Sequence, residues 1–542
     1  MSENISQADA LLPPGWQRAP LAQVAQINPI LDRRIADDTV AVNFVPMRAV
    51  EPEGGGLIRP EVRPYGEVKK GYTAFLTGDV IMAKITPCME NGKAAVVPEL
   101  PGSVCFGSTE FHVLRPENGV ESRWFLNFLL QHEIRRAAQR QMAGGVGQMR
   151  VPATFFDIVE IPLPATAEQQ RITDAIDELF SDLDAGVAAL ERVKEKLKLH
   201  RASVLKAAVE GALTAEWRAH HPQTEPASEL LKRILAERCR RWEEEQRRKF
   251  KEKGQEPPKN WNAKYKEPKT PDVVHLAEIP SSWTWTGFEQ LADGTTHAFK
   301  AGPFGSALKK EYYSSSGYKI YGQEQVIRDD AYFGDYFIDQ QRFDMLRSCA
   351  IKPGDVLISL VGTAGKVLVL PPDAQLGIIN PRLLKISLSP NNIVPRYVKL
   401  VLESPWARHF FKAQAHGGTM EILNLGILKL FPIPLPSLEE QQAIVDEVED
   451  LLSVIDHLEA ELESKLKKAQ ALRQSILCHA FAGQLVPQNP NDEPASELLK
   501  RIAAERMARA RESTYDKRVN KKSSGPGGSR RGRPRNNAKG ND

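Results

Sequence analysis

The chain has 542 residues, 42% hydrophobic and 26% charged, with a formal net charge of +3, a balance ordinary for a globular protein able to bury sizeable cores. That small charge excludes overall basicity as a source of nucleic-acid affinity, so any such role must rest on local placement of Lys and Arg. No run approaches the ~20 apolar residues of a membrane span, the amino-terminal MSENISQADA lacks a basic-then-apolar leader, and the five cysteines form no Cys-x-x-Cys pair, which disfavours disulfide frameworks and zinc ribbons.

A cytoplasmic protein with reduced thiols is therefore expected. Residues 1–165 carry short apolar and β-branched runs between Gly and Pro, such as Asp79-Val-Ile-Met and Lys93-Ala-Ala-Val-Val, which read as strands of a mixed α/β globule. A helix is expected over Trp124–Arg140, where apolar residues recur at helical spacing. Over 166–213, Ile172, Ile176, Leu179, Leu183, Val187, Leu190, Val193 and Leu197 follow at intervals of three or four, a coiled-coil seam. At 1.5 Å per residue such a segment spans roughly 60–70 Å. The preceding Ile161-Pro-Leu-Pro164 cannot lie inside a helix and marks its start.

Residues 214–275 begin as a charged helix around Arg238–Trp242 and end in Pro257-Pro258 and Glu267-Pro-Lys-Thr-Pro271, the composition of a linker. Residues 276–437 return to the globular pattern, with Asp355-Val-Leu-Ile-Ser-Leu and Lys366-Val-Leu-Val-Leu as strands and a helix over Tyr397–Gln414. A second seam follows over 438–485, with Ile444, Val448, Leu451, Ile455, Leu458, Leu462, Leu466 and Ala469. Residues 486–515 read as helical and 516–542 as a disordered basic tail. Within the tail, Arg531-Gly-Arg-Pro-Arg535 resembles an AT-hook core lying in a narrow minor groove, although basic tails are more often solvated, non-specific phosphate binders.

The second half copies the first. Ile161-Pro-Leu-Pro and Glu168, Gln169, Gln170 return as Ile433-Pro-Leu-Pro and Glu440, Gln441, Gln442 at an offset of 272 (433 − 161, 440 − 168). Arg201, Ser203, Leu205, Gly211 and Leu213 return as Arg473, Ser475, Leu477, Gly483 and Leu485, and Glu225–Ile234 returns as Glu493–Ile502 at 268 (493 − 225). A duplicated chain carries its own two-fold partner. The expected fold is α/β (α+β): two mixed α/β domains separated by two long antiparallel coiled-coil helices, with internal two-fold pseudo-symmetry.

No catalytic constellation is evident. Gly362-Thr-Ala-Gly-Lys366 lacks the spacing and the Ser/Thr of a phosphate loop, and Gly144-Gly-Val-Gly147 follows a helix rather than a strand. His132-Glu133 lacks the second histidine of a zinc protease, His220-His221 reads as exposed loop, and Asn380-Pro-Arg382 lacks the second proline and aromatic of an amino-methyltransferase motif. Two globules rich in Lys and Arg beside Gly, Gln, Asn and Thr suit a repetitive polyanion, duplex DNA. Candidate contacts are polar or basic residues in glycine-bordered loops, where the backbone can approach phosphate. In the first half these are Lys84, Thr86, Asn91, Lys93, Gln141, Gln148 and Arg150; in the second, Lys300, Ser306, Lys309, Lys310, Thr363, Lys366, His416 and Thr419. Ser108–Leu114 and Asn380–Ile386 read as core strands, and the two Glu-Gln-Gln triplets as helix caps.

The order of globule, Ile-Pro-Leu-Pro-x-x-x-Glu-Gln-Gln-x-Ile and long helix, doubled between about Leu12 and Leu485, resembles the specificity subunits of type I restriction-modification systems. Gly78–Lys93 and Gly354–Lys366 look like parts of that family's target-recognition domains. The resemblance implies a non-catalytic, cofactor-free subunit whose two target-recognition domains each read half of a bipartite site in double-stranded DNA. It further implies that the helices set the spacer, that two methyltransferase subunits dock on them, and that restriction subunits join the complex. The alternative is a coiled-coil scaffold whose globules bind proteins rather than DNA; a self-contained methyltransferase is disfavoured by the missing cofactor motifs.

Overall fold

The computed structural model describes residues 12–523, apart from 32–34, 36, 58–59, 101–103, 146, 275, 305–306, 362–364, 390, 415–422 and 424. The chain divides into two compact units, one formed by residues 1–189 with 464–542 and the other by 190–463.

Among the described residues of the first unit, the apolar runs form β1 (Gln17–Pro20), β2 (Ala25–Ile27), β3 (Ala41–Val45), β4 (Glu61–Pro64), β5 (Thr73–Phe75), β6 (Val80–Ala83), β7 (Ala94–Val96), β8 (Cys105–Gly107), β9 (Phe111–Pro116) and β10 (Glu160–Leu163). They make a β1-β10 ribbon and two four-stranded sheets, ordered β4-β3-β8-β5 and β2-β9-β6-β7. The second unit has β11 (Thr284–Gly287), β12 (Phe299–Ala301), β13 (Tyr318–Tyr321), β14 (Phe337–Ile338), β15 (Ala350–Ile351), β16 (Val356–Ser359), β17 (Val367–Val369), β18 (Gly377–Ile379), β19 (Leu383–Ile386) and β20 (Pro432–Leu435). Its ribbon is β11-β20 and its sheets β14-β13-β18-β15 and β12-β19-β16-β17, the same topology with every label raised by ten. Even the one parallel pairing recurs, β3 with β8 and β13 with β18.

The Ile-Pro-Leu-Pro segments are β10 and β20. Each has a single strand neighbour, so the missing proline N–H groups cost no ladder bond. Immediately after them run two helices of 44 residues, Thr166–Val209 and Leu438–Phe481. Both stop at a glycine with positive φ, Gly211 at +76° and Gly483 at +68°, the residue type that adopts the left-handed C′ conformation without penalty. A Cβ there would lie 2.5 Å from Pro280 and 2.3 Å from Pro13, respectively.

The helices pack together, antiparallel. In the first unit Ile172 and Ile176 share a core with Ile476, Leu477, Ala480 and Phe481; in the second, Val204, Leu205 and Ala208 share one with Ile444, Val445 and Val448. Arg473 hydrogen-bonds Asp184 in the first unit, and Arg201 hydrogen-bonds Asp456 in the second. These are one bond in two copies, because Arg473 is Arg201 displaced by 272 and Asp456 is Asp184 displaced by 272. Such exchange of partners defines an isologous contact, here made within a single chain.

Three expectations change. The helices read over Trp124–Arg140 and Tyr397–Gln414 are each broken in two, as Ser122–Leu129 with His132–Arg140 and Pro395–Glu403 with Pro405–Gln414. Pro405 cannot continue the preceding helix, and Ser404 Oγ caps the new one by accepting from Ala407 N at 3.2 Å. In the first unit Gln474 Oε1 accepts from His132 N at 2.8 Å and plays the capping part.

The Glu-Gln-Gln triplets do not cap their own helices. Glu168 is buried and accepts from Trp16 Nε1 at 3.1 Å and Gln488 Nε2 at 2.6 Å. Its copy Glu440 accepts from Trp283 Nε1 at 2.8 Å, Thr214 Oγ at 2.7 Å and Arg218 Nη1 at 2.5 Å. Gln169 and Gln441 each cap a different helix, accepting from Glu121 N at 2.8 Å and Val394 N at 2.9 Å. Only Gln170 and Gln442 stay on their own helix, bonding Asp174 and Asp446 on the solvent side.

The charged segment of 214–275 is helical over Ala227–Glu252 and packs Leu230 and Ile234 fully into the core of the second unit. Several of its arginines pair within the helix, Arg240 with Glu244 at 2.9 Å and Arg241 with Glu237 at 2.6 Å, while Arg238 Nη1 donates to Glu289 O at 2.9 Å and Ala292 O at 3.1 Å. The following segment folds back, with Trp261 stacked on Trp242 at 5.9 Å. The copy of this helix runs over Ala495–Ser523, eight residues into the segment read as a disordered tail, and buries Leu498 and Ile502 in the first unit. The AT-hook-like Arg531–Arg535 lies outside the described residues.

Candidate nucleic-acid interface

In the first unit, β6 ends at Ala83 and the chain leaves the sheet through Lys84, Ile85 and Thr86, returning by way of Lys93 into β7. A second loop, closed by reciprocal backbone bonds of 3.0 and 2.9 Å between Ala143 and Arg150, lies against it. Thr86 N donates to Met149 O at 3.0 Å, Met149 N to Thr86 Oγ1 at 3.2 Å, and Val151 N to Lys84 O at 2.9 Å. The structure thus brings Lys84, Thr86, Gln148 and Arg150 together, with Gln141 exposed just before the loop. Asn91 and Lys93 stand on the other flank, where Glu53 N donates to Asn91 O at 3.2 Å and Lys93 Nζ to Met47 O at 3.2 Å.

Arg150 is held. Its Nε and Nη2 fork onto Glu110 at 2.8 and 2.9 Å, and Nη1 donates to Gln148 O at 3.0 Å. The guanidinium beside it keeps the Glu110 carboxyl below the usual glutamate range. Beneath, buried His112 donates from Nε2 to Val151 O at 2.8 Å and accepts from Asn28 Nδ2 at Nδ1, 3.1 Å. Burial pushes its pKa down, which keeps the ring neutral, as those two bonds require.

In the second unit Lys300 lies in β12, Lys309 pairs with Glu311 at 3.3 Å, Lys310 opens an exposed helical turn, and exposed Lys366 precedes β17. Ser306, Thr363, His416 and Thr419 lie outside the described residues. Sequence reading missed Glu110, Gln323 and Arg382, which frame these loops. One signal existed: the 272 offset sets Glu110 against Arg382 (382 − 110), a charge reversal between copies. The groups assembled here are hydrogen-bond donors and acceptors on loop rims, suited to binding a polar, anionic surface. Among the described residues no group of three or more His, Cys, Asp or Glu could hold a metal ion, and no helix is long and apolar enough to cross a membrane.

A sequence model of the type I restriction modification DNA specificity domain matches residues 42–194 and 305–468, together more than half of the chain. The specificity subunit of the type I restriction enzyme EcoEI from Escherichia coli is 28% identical over 525 residues, covering 86% of this chain and 83% of its own length. That of EcoAI, also from Escherichia coli, is 27% identical over 496 residues, covering 82% and 79%. A chain solved in work on assembly and conformational transition of a type I restriction-modification system shares the fold, with a TM-score of 0.62 at 19% identity over 88% of this chain and 99% of that one. Doubled topology, matched family domains and similar relatives agree: the chain belongs to the type I restriction-modification DNA specificity family.

Proposed function

We propose that this protein is the DNA sequence-specificity subunit of a type I restriction-modification complex and is itself non-catalytic, without a cofactor. Residues 1–165 and 276–437 are its two target-recognition domains, each reading one half of a bipartite site in double-stranded DNA. The observation that supports this reading best is the strand-for-strand repetition of two sheets and a ribbon in two units whose rim loops differ in chemistry. The repeated scaffold suits the same task performed twice, and the divergent loops suit two different sequences. The long helices set the spacer between half-sites and offer docking surfaces to methyltransferase subunits, two by the symmetry of the repeat, with restriction subunits completing a cytoplasmic complex.

Within the loops, Lys84, Lys93, Lys300, Lys309, Lys310 and Lys366 serve phosphate contacts, which confer affinity on all sequences alike. Thr86, Asn91, Gln141, Gln148 and Arg150 are the candidates for base contacts in the first half, and Ser306, Thr363, His416 and Thr419 in the second. Co-expression with the methyltransferase subunit of the same system, followed by mapping of methylated bases across host DNA, tests the reading. A single bipartite motif with a fixed gap, lost when this chain is omitted, is expected. Absence of any motif despite a folded complex would favour the protein-binding scaffold.

A further inference from the structure

We propose that Arg382 reads a base edge, guanine by its hydrogen-bond pattern, in the half-site recognised by the second unit, with Gln323 as its positioning residue. The proposal rests on the DNA-specificity reading given above and goes beyond it by naming one residue and one base.

Glu110 and Arg382 occupy the same place. Each immediately precedes its strand, β9 or β19, and each carbonyl accepts the equivalent backbone bond, from Lys84 N at 2.9 Å and from Leu360 N at 3.0 Å. In the first unit this place carries a carboxylate, which takes Arg150 in a two-pronged bond and cancels its charge. Three of the five N–H donors of Arg150 are then engaged, two by Glu110 and one by Gln148 O. Arg150 fastens its loop to the sheet and keeps only two of its five donors for a base edge.

The second unit carries the guanidinium on the strand itself. Arg382 is exposed, and among the described residues its side chain makes one bond, Nη1 to Gln323 Oε1 at 3.1 Å. That partner is a neutral amide, so the positive charge is not cancelled. The amide orientation is fixed from behind, because Gln323 Nε2 donates to Ser359 Oγ at 3.0 Å and to Val361 O. Gln323 therefore steers Arg382 while leaving four of its five donors available.

The backbone under Arg382 is equally constrained. Arg382 N donates to Asn380 Oδ1 at 2.9 Å, Asn380 N to Tyr321 O at 2.9 Å, and Gly302 N to Leu383 O at 2.9 Å. Gly302 lies so close that a Cβ would sit 1.9 Å from Asn380 O. The next two residues, Leu383 and Leu384, are fully buried. An exposed, uncancelled guanidinium on an immobilised turn is the arrangement for forked recognition of an acceptor pair such as guanine O6 and N7. A phosphate contact needs no such steering, and the flexible Lys309, Lys310 and Lys366 suffice for it.

The test is methylation mapping of the full complex assembled with Arg382→Ala, Arg382→Lys and Gln323→Glu chains. Wild type is expected to give one bipartite motif. Arg382→Ala should lose about 10- to 100-fold of the preference at one guanine in one half, leaving the other half and the gap unchanged. Arg382→Lys, which preserves charge, should methylate efficiently yet fail to restore that preference. Gln323→Glu should engage Arg382 as Glu110 engages Arg150 and relax the preference at that one position alone, although it forfeits the donation to Val361 O and some thermal stability with it; a purely structural role for Gln323 would instead weaken the whole half-site. Uniform weakening at every site, or restored preference in the lysine variant, would make Arg382 a phosphate contact and overturn the proposal. A wild-type complex with no motif would instead overturn the reading on which it rests.

Discussion

Glu168 and Glu440 begin the two long helices at equivalent places and are compensated differently. Glu440 accepts from Arg218, Thr214 and Trp283, whereas among the described residues Glu168 accepts from the neutral donors Trp16 and Gln488, with the charge of Arg171 acting on it without a hydrogen bond. Burial pushes the Glu168 carboxyl up despite those two bonds. A carboxyl whose folded pKa is raised favours the fold most at low pH, and that advantage is lost as pH rises from the ordinary glutamate value through the folded one. Glu168→Gln should therefore leave the neutral-pH melting temperature of the full chain undiminished and flatten its decline from acid to neutral pH. Glu440→Gln should lower stability by about 3 kcal/mol, because it strands a largely buried arginine; paired thermal melts of the two variants would check both. The Glu-Gln-Gln repeat was visible in the sequence, but its roles were not. The partner of Glu168 is Trp16, 152 residues away, and no local pattern carries that pairing. Arg382 was passed over for a related reason: it was read as part of a core strand over Asn380–Ile386, whereas β19 begins at Leu383 and Arg382 lies in the exposed turn before it.

The long helices were legible because a heptad seam after proline is a local signal, and so were strands such as β6, β7, β16 and β17. Their breaks and attachments were less so. The stop between Leu129 and His132 depends on Gln474, which is remote in sequence. The helices Ala227–Glu252 and Ala495–Ser523 were legible as helical over most of their length, but their dominant charges hid that they are docked: the first buries Ala227, Leu230 and Ile234 in a core and the second Leu498 and Ile502. Leu498→Ala and its counterpart Leu230→Ala should each cost about 2–5 kcal/mol, measured by chemical denaturation; a loss below 0.5 kcal/mol in either would mean that helix is not part of its core. The isologous Arg–Asp pairs should behave as twins. Double-mutant cycles on Arg473 with Asp184 and on Arg201 with Asp456 should give equal coupling energies, each below ~1 kcal/mol, since both aspartates are well exposed.

On the scale of the molecule, duplication was plain from the 272 offset, but sheet order was not: the parallel pairing of β3 with β8 joins segments some 60 residues apart, and strand patterning says nothing about which distant strands meet. Replacing residues 1–165 with the corresponding domain of a relative should change one half-site and preserve the other and the gap, read by mapping methylated bases. A change in both halves would mean that the units do not read DNA independently.

The first unit is discontinuous in sequence, and this has a consequence in time. Its core closes only when Phe481 reaches Trp124, with ring centroids 4.0 Å apart, and when Leu498 and Ile502 arrive. The second unit is a single stretch and is complete once residue 463 is made. A ribosome working at ~5–20 residues per second needs roughly 20–70 s to travel from Leu163 to Ile502. Throughout that interval the nascent amino-terminal domain lacks the ring that packs on Trp124 and Phe128, so the half of the protein synthesised first is the half whose core is completed last.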